Sequence, residues 1–167
     1  MSDANRINGG IVTTLLLVLA AIAVAGFLTW FLYCPCERTS GGYLLGEEAS
    51  EPVSDWSFAN DMATVPLCQI QVDTGLLPHS INLNCMADDG ELYLSCASCE
   101  GKRWSTAALE NPEARLRAGG LVYPVKVTRV TDPPTLDRAW IARAAKRGRP
   151  ADVPREEGWW SFRVTSR

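Results

Sequence analysis

Short runs of alternating apolar and polar residues fill the carboxy-terminal two thirds of the chain, and this alternation predicts half-buried β-strands. In residues 80–86 every second side chain is apolar, and residues 91–96 repeat the pattern. Asp88-Asp89-Gly90 lies between these runs and predicts a hairpin turn, because glycine supplies the positive φ that tight turns require.

Four further runs have the same character: 67–72, 113–118, 121–131 and 160–164. Gly119-Gly120 predicts a turn between the second and third of these runs. Pro124 has no N–H to donate to a strand ladder, so we expect its strand to lie at an edge or to be bulged there.

Two helices are predicted among the strands. Residues 105–110 form a short one that ends at Asn111-Pro112, and residues 136–147 form a longer one with Thr135 as its N-cap. The longer helix has an apolar stripe for burial: Leu136, Ala139, Trp140 and Ala144. Six short strands with two short helices predict a mainly-β domain, an antiparallel barrel that is closed or half-closed.

The amino-terminal segment has a different pattern. No charged residue occurs from Ile7 to Cys36, and residues 11–33 are almost wholly apolar. A helix of this length rises about 35 Å, enough to cross the hydrocarbon core of a bilayer. It lacks the polar stripe of a core helix, and the apolar run continues past Ala23-Val24-Ala25, the one stretch that resembles a signal-peptide cleavage site. We therefore predict a single transmembrane helix at about 11–33.

The chain thus divides into three parts: residues 1–36 with the transmembrane helix, an extended linker or docking segment at 37–64, and the β domain at 65–167. Trp56 and Phe58 are too apolar for a free linker, so we expect them to dock on the domain or on a partner. Trp159 and Trp160 are further docking candidates, although barrel core would explain them equally well.

Charge excludes one class of function and weakly sets the orientation. The formal net charge of −3 argues against a nucleic-acid-binding protein, which would be clearly basic. Arg6 precedes the predicted membrane helix and Arg38 follows it. Counted with the amino terminus, the positive charges predict a cytoplasmic N-terminus and a periplasmic C-terminal domain.

The six cysteines do not form an evident metal site: they are Cys34, Cys36, Cys68, Cys85, Cys96 and Cys99. A four-cysteine site needs two suitably placed pairs. Here one pair adjoins the membrane, and Cys68 and Cys85 alternate into strand cores. No histidine follows either closely spaced pair, which excludes the usual motif for covalent haem attachment. For Cys96 and Cys99, inert thiols, a disulfide and a metal or redox role all remain open.

Two other polar features have more than one interpretation. His79 is the only histidine and could serve acid–base chemistry or a metal, but nothing near it in sequence completes a catalytic set, so no catalytic residue is predicted. Five basic residues follow the start of the second helix: Arg138, Arg143, Lys146, Arg147 and Arg149. We interpret them as its polar side, with contact to anionic lipid or an acidic partner as the alternative.

The order of these pieces resembles the split β-barrel of the pyridoxamine-phosphate-oxidase and deazaflavin-dependent nitroreductase group. The resemblance covers roughly residues 65–167. It depends on four stretches: "DDGELYLSCAS" (88–98), "GKRW" (101–104), "LENPEARLRAGGLVYPVKVTRVTD" (109–132) and "WWSFRV" (159–164).

The resemblance implies a phosphate-binding corner after the strand at 91–96. By position, Ser98, Lys102 and Arg103 would bind the phosphate of FMN or a deazaflavin, and Trp104 would lie near its ring. A hydroxyl and two cations near a helix start are chemically suited to a phosphate dianion. Barrels of this group usually dimerise and build the site across the interface, which implies a homodimer here as well.

The stretch "VDTGLLPHSINLN" (72–84) departs from that group. Deazaflavin-binding relatives have a Gly-rich basic stretch at this place, whereas this one contains a single glycine and no lysine or arginine. We therefore predict an accessory or structural subunit of a larger membrane complex for respiratory, photosynthetic or other electron transport. In this interpretation the chain is not an enzyme, its barrel has lost the flavin, and its partners are the lipid bilayer and other subunits. The alternative is a membrane-tethered flavin- or deazaflavin-dependent oxidoreductase.

Overall fold

The computed structural model describes residues 3–32 and 41–167 of the 167-residue chain. The helices are α1 (Asp3–Leu32), α2 (Arg103–Glu110) and α3 (Pro133–Lys146), with a 3-10 turn at Ser57–Asn60. The strands are β1 (Glu47–Glu48), β2 (Cys68–Val72), β3 (His79–Asp88), β4 (Glu91–Cys96), β5 (Glu113–Ala118), β6 (Leu121–Val130) and β7 (Trp160–Ser166). Cys34, Cys36 and Arg38 lie outside the described residues.

Helix α1 is the predicted long apolar helix. Its apolar stretch, Gly10–Trp30, has 21 residues and a mean hydropathy of 2.7, and none of it is buried against the rest of the protein. Membrane spans and signal sequences share this length and composition. The prediction of a long apolar helix near the N-terminus is thus confirmed, while the orientation stays a prediction.

Strands β2 to β7 form a closed antiparallel barrel, as predicted. Their order around the barrel is β6-β5-β2-β3-β4-β7, and pairing of β6 with β7 closes the ring. β1 lies outside the ring and pairs in parallel with the start of β6, Glu47 opposite Leu121. The alternating runs place their apolar residues inside, where the largest fully buried side chains include Ile70, Leu92, Leu94, Leu116 and Phe162.

Two turn predictions are explained by the backbone. Asp89 and Gly90 have φ of 50° and 77°, the two positive values that a type I′ hairpin turn requires. Pro124 pairs with Arg115 on the β5 side, whereas the pairing of β6 with β7 begins only at Val125. The proline therefore lies at the end of that ladder, as expected for a residue that cannot donate a backbone hydrogen bond.

Helix α3 packs on the outside of the barrel through the predicted stripe, all four residues of which are buried: Leu136, Ala139, Trp140 and Ala144. Leu136, Ala139 and Trp140 form a second buried cluster with Met86, Tyr93 and Trp159. The predicted N-cap was wrong. Asp132 caps the helix by accepting a hydrogen bond from the Thr135 N–H at 3.1 Å, and two prolines occupy the first turn.

The segment 41–66 lies against the barrel and does not hang free. Trp56 is 2% exposed and forms an edge contact with Tyr123, at 5.0 Å between ring centroids. Asn60 pairs with both backbone groups of Ala87: its amide donates to the carbonyl at 2.9 Å, and its oxygen accepts from the N–H at 2.7 Å. Of the docking candidates, Trp56 and Trp159 thus belong to the core, while Phe58 remains 38% exposed.

Two disulfides join cysteines of the described residues. Cys68 of β2 is bonded to Cys85 of β3, and Cys96 at the end of β4 is bonded to Cys99. Both pairs have Cα atoms 5.6 Å apart, within the usual range for disulfides. The first bond fixes the register of neighbouring strands, and the second closes a tight loop at the end of β4.

Candidate functional site

The connection from β4 to α2, residues 97–102, is called the β4–α2 corner below. It turns sharply, because Ser98 and Gly101 have φ of 49° and 71°. The Ser98 N–H donates to the carbonyl of Gly158 at 3.1 Å, which ties the corner to the segment before β7. The Cys96–Cys99 disulfide lies at the base of the corner, where Cys99 is fully buried.

Lys102 and Arg103 lie at the start of α2, and both are exposed. Lys102 Nζ donates to the Ala97 carbonyl at 2.8 Å, across the corner itself. Arg103 donates to Thr74 Oγ1 at 2.7 Å, in the loop between β2 and β3. Each cation therefore forms one hydrogen bond within the protein and keeps further N–H groups for another acceptor.

No described side chain caps the start of α2, where Lys102 occupies the N-cap position in extended conformation. The N–H groups of a first helical turn have no acceptor inside the helix, so an uncapped start favours an anion. Ser105 interacts instead with carbonyl oxygens of the corner: its hydroxyl donates to the Lys102 carbonyl at 3.0 Å and also contacts that of Cys99. This hydrogen bonding holds the corner against the helix.

The structure adds Thr74 and His79 to the site, which the sequence analysis did not connect to the corner. Thr74 donates from its hydroxyl to the Leu77 carbonyl at 2.6 Å while it accepts from Arg103. His79 is half-buried at the start of β3; burial lowers the pKa of its imidazole, and the nearby Arg103 charge lowers that pKa further. Both effects favour the neutral imidazole over a third cation beside Lys102 and Arg103.

Antiparallel pairing explains why these distant residues meet. The end of β4 lies beside the middle of β3, Ser95 opposite Asn84, so the chain leaving β4 passes the start of β3. The loop before β3 contains Thr74 and is brought to the same end of the barrel. A signal for this convergence existed in the predicted hairpin, whose register places the corner beside the residues that precede β3.

Trp104 does not line the corner surface. It is 1% exposed and packs on Phe162 inside the barrel, at 5.0 Å between ring centroids. The aromatic residue beside the corner is Trp160, which is half-buried and lies opposite Cys96 in the ladder of β4 and β7. The Arg129 guanidinium stacks over its ring at 3.5 Å from the centroid.

The residues at the β4–α2 corner fit the phosphate of a flavin nucleotide better than its ring. Lys102, Arg103 and the uncapped start of α2 suit a phosphate in charge and hydrogen-bonding capacity. For the ring, Trp104 has no free surface, and Arg129 already covers a face of Trp160. Among the described residues, no three His, Cys, Asp or Glu side chains are grouped closely enough for a metal ion.

Lys146, one of the five basic residues of α3, forms a separate polar contact. Its ammonium group donates to the carbonyls of Val65 at 2.7 Å and Cys85 at 2.8 Å, and it lies 3.6 Å from Cys85 Sγ. It borders a cleft of about 180 Å³ together with Arg143 and Arg147. Burial lowers the pKa of this lysine to about 8, and the charge of Asp61 opposes the change.

No protein-family model matches the chain, and no curated protein matches its sequence. Solved structures do match its fold. A candidate pyridoxamine 5'-phosphate oxidase from Listeria innocua aligns with a TM-score of 0.50 at 12% identity, covering 60% of this chain and 82% of that protein. A conserved hypothetical protein from Mycobacterium tuberculosis gives 0.50 at 12% identity, with coverages of 72% and 86%. A candidate 5-nitroimidazole antibiotic resistance protein from Bacteroides thetaiotaomicron gives 0.50 at 11%, with 78% and 89%.

These similarities confirm the predicted fold, an antiparallel split β-barrel. At 11–12% identity they extend to the fold alone. Unrelated functions share common folds, so the similarities do not assign an activity.

Proposed function

We propose that this protein is a single-span, membrane-anchored accessory subunit of a larger membrane complex, in which the split barrel is a structural module. The observation that carries the proposal is the exposure of the Gly10–Trp30 stretch, 21 residues with a mean hydropathy of 2.7 of which none is buried by the other described residues. A helix this apolar needs lipid or another apolar protein surface around it, because its exposure to water is unfavourable.

The contacts at the β4–α2 corner support the structural role of the barrel. Lys102 donates a hydrogen bond to the Ala97 carbonyl and so joins the two ends of the corner. Arg103 donates to Thr74 and so joins the start of α2 to the loop between β2 and β3. The disulfide between Cys96 and Cys99 closes the same corner covalently. Together these bonds hold the end of β4, the start of α2 and the β2–β3 loop at one end of the barrel, so the two cations have a structural role without any cofactor.

A membrane-tethered flavin- or deazaflavin-dependent oxidoreductase is the second candidate, favoured by the uncapped start of α2 beside two exposed cations. In that case Lys102 and Arg103 would hold the cofactor phosphate, and the bound flavin would supply the redox chemistry. The protein residues would then orient the nucleotide and neutralise its charge.

A visible absorption spectrum separates the two candidates. The full chain is extracted in mild detergent from the membranes in which it is made, and its spectrum and native mass are recorded before and after removal of bound proteins. We expect no flavin or deazaflavin band, and a native mass well above that of the 18.2 kDa chain. A band at near-stoichiometric level would overturn the structural role and favour the oxidoreductase.

A double variant tests the cations directly. Lys102→Ala with Arg103→Ala should leave the native mass of the complex unchanged, and Arg147→Ala with Arg149→Ala is a matched control on exposed residues at the end of α3. If the first pair alone removes a bound chromophore, the two cations are cofactor ligands. If it alone dissociates the complex, the corner is a docking surface and the proposal needs revision there.

A further inference from the structure

The end of helix α1 is in direct contact with the chain that enters the barrel. The backbone N–H of Tyr43 donates to the Leu32 carbonyl at 2.7 Å. Gly42 lies so close to the backbone of Leu32 that a Cβ atom at this position would overlap the Leu32 carbonyl oxygen. The end of the apolar helix and the chain that enters the barrel therefore touch at Leu32, Gly42 and Tyr43.

The same residues are bonded to the start of strand β3. Gly41 and Ser80 exchange two backbone hydrogen bonds, of 3.0 and 2.8 Å. The buried Ser80 hydroxyl donates to the Gly42 carbonyl at 2.6 Å. The loop 73–78, which precedes β3, is thereby fixed at the end of the barrel where α1 arrives.

Loop 73–78 has an exposed apolar side chain at its tip. Leu76 is 96% exposed, and on the adjoining segment Tyr43 and Leu45 are 44% and 55% exposed. Tyr43 and Leu76 line the same cleft, of about 350 Å³. A single exposed leucine needs no explanation, but a group of three that adjoins the end of an apolar helix is a surface suited to lipid.

Helix length sets the depth of this surface. At 1.5 Å per residue, the 21 residues of Gly10–Trp30 rise about 31 Å, close to the roughly 30 Å of the hydrocarbon core. Leu32 would then lie about 3 Å beyond the core, inside a headgroup layer roughly 5–8 Å thick. Tyr43 is bonded to Leu32, so the group around it lies at headgroup level.

We propose that Tyr43, Leu45 and Leu76 contact the lipid bilayer, so that the barrel rests on the membrane surface with loop 73–78 inserted in the headgroup layer. This inference rests on the proposed membrane anchoring. It has a consequence for the candidate site, because Arg103 is hydrogen-bonded to Thr74 of the same loop. The β4–α2 corner is then linked through this hydrogen bond to the loop that contacts the lipid.

Photo-crosslinking in lipid nanodiscs tests the contact. The full chain is placed in nanodiscs of phosphatidylcholine with a photoreactive benzoylphenylalanine in place of Leu76, and in a second variant in place of Tyr43. Met62 is the control position, because it is similarly exposed, at 46%, and borders a cleft with Cys85. Cys85 lies six residues along β3 from His79, so the Cα atoms of these two residues are about 20 Å apart. Intact mass after irradiation detects phospholipid adducts.

We expect phospholipid adducts at positions 76 and 43, and at least several-fold fewer at position 62. If the chain enters nanodiscs but Leu76 and Tyr43 probes form no more adducts than the Met62 probe, the anchoring stands and the membrane contact is refuted. Crosslinks from position 76 to protein alone would likewise overturn the lipid contact in favour of a covering subunit. A chain that does not enter nanodiscs would instead refute the anchoring, and with it this inference.

Discussion

Lys146 gives the chain a dependence of stability on pH whose sign can be worked out. Its ammonium group is half-buried and bonded to the carbonyls of Val65 and Cys85. β2 pairs with β3 only as far as Cys68 opposite Leu83, so no strand among the described residues pairs with the Cys85 carbonyl on that side. The lysine supplies the hydrogen bond that a neighbouring strand would otherwise donate to the Cys85 carbonyl. Burial lowers the pKa of its ammonium group from the ordinary 10.5 to about 8.

A lowered pKa means that the unfolded chain binds this proton more tightly than the folded chain. Between pH 8 and 10.5 the unfolded state therefore holds more protons, and the free energy of unfolding rises as the pH increases. Below pH 8 the lysine is charged in both states, and the folded state has the full cost of burying that charge. The full pKa difference corresponds to about 3 kcal/mol, and we halve it to about 1–2 kcal/mol because water screens a half-exposed group.

The measurement is urea unfolding of the full chain in detergent solution, followed by tryptophan fluorescence at several pH values from 7 to 11. Wild type is compared with Lys146→Arg, which stays charged throughout this range, and with Lys146→Met, which is never charged. Comparison with variants removes the contribution of other groups, such as Tyr93 and Tyr123, whose phenol pKa is raised chiefly by burial.

We expect wild type to gain about 1–2 kcal/mol relative to each variant as the pH rises through 8 to 10.5. The sign distinguishes this account from the opposite one, in which the two carbonyl hydrogen bonds hold the ammonium so firmly that its pKa is raised. In that case wild type would lose stability relative to both variants at high pH. Parallel pH curves for all three proteins would show that Lys146 is effectively solvated.

Three further predictions concern the segments that hold the barrel. Replacing Cys68 and Cys85 together by alanine should lower the free energy of unfolding by about 3 kcal/mol, because the bond joins residues 17 apart in sequence and restricts the unfolded chain. Urea unfolding measures this loss, and a loss below about 1 kcal/mol would contradict the prediction. The Cys96/Cys99 alanine pair, three residues apart, should cost less in the same assay. Asn60→Ala should lower the free energy of unfolding by about 1–3 kcal/mol, because both backbone groups of Ala87 lose their hydrogen-bond partner. Asn60→Asp, which keeps the acceptor for the Ala87 N–H, is the control and should lose less. An equal loss in both variants would count against this reasoning.

The barrel was predictable from the sequence because its signal is local. Alternation assigned the strands, the Asp-Gly pair set the hairpin between β3 and β4, and the apolar stripe of α3 identified its buried face. The wrong N-cap is also a local matter. Asp132 and Thr135 are both good capping residues, and the two prolines between them can occupy a first helical turn, so that the earlier residue caps the helix.

The corner and the barrel edge were less predictable because their contacts join distant segments. Arg103 meets Thr74, 29 residues away, and Lys146 meets Val65, 81 residues away. No periodicity in the sequence marks such pairs. Asn60 lies in the segment predicted as a linker or docking segment, and its amide supplies the hydrogen bonds that an additional strand would give to Ala87.

At one edge of the barrel, side chains form the hydrogen bonds that a neighbouring strand would otherwise form, and this explains why segment 41–66 belongs to the barrel. Within the described part of the chain, strand β3 pairs with no strand beyond Leu83 on its β2 side, and an open edge of this kind promotes association with other chains. Lys146 covers Cys85 there, and Asn60 covers Ala87 two residues further on. Segment 41–66 thus supplies Asn60 at this edge and accepts the Lys146 ammonium at the Val65 carbonyl, and it also contacts the end of helix α1 through Tyr43. A free linker would make neither contact, so segment 41–66 and the barrel are best understood as one structural unit.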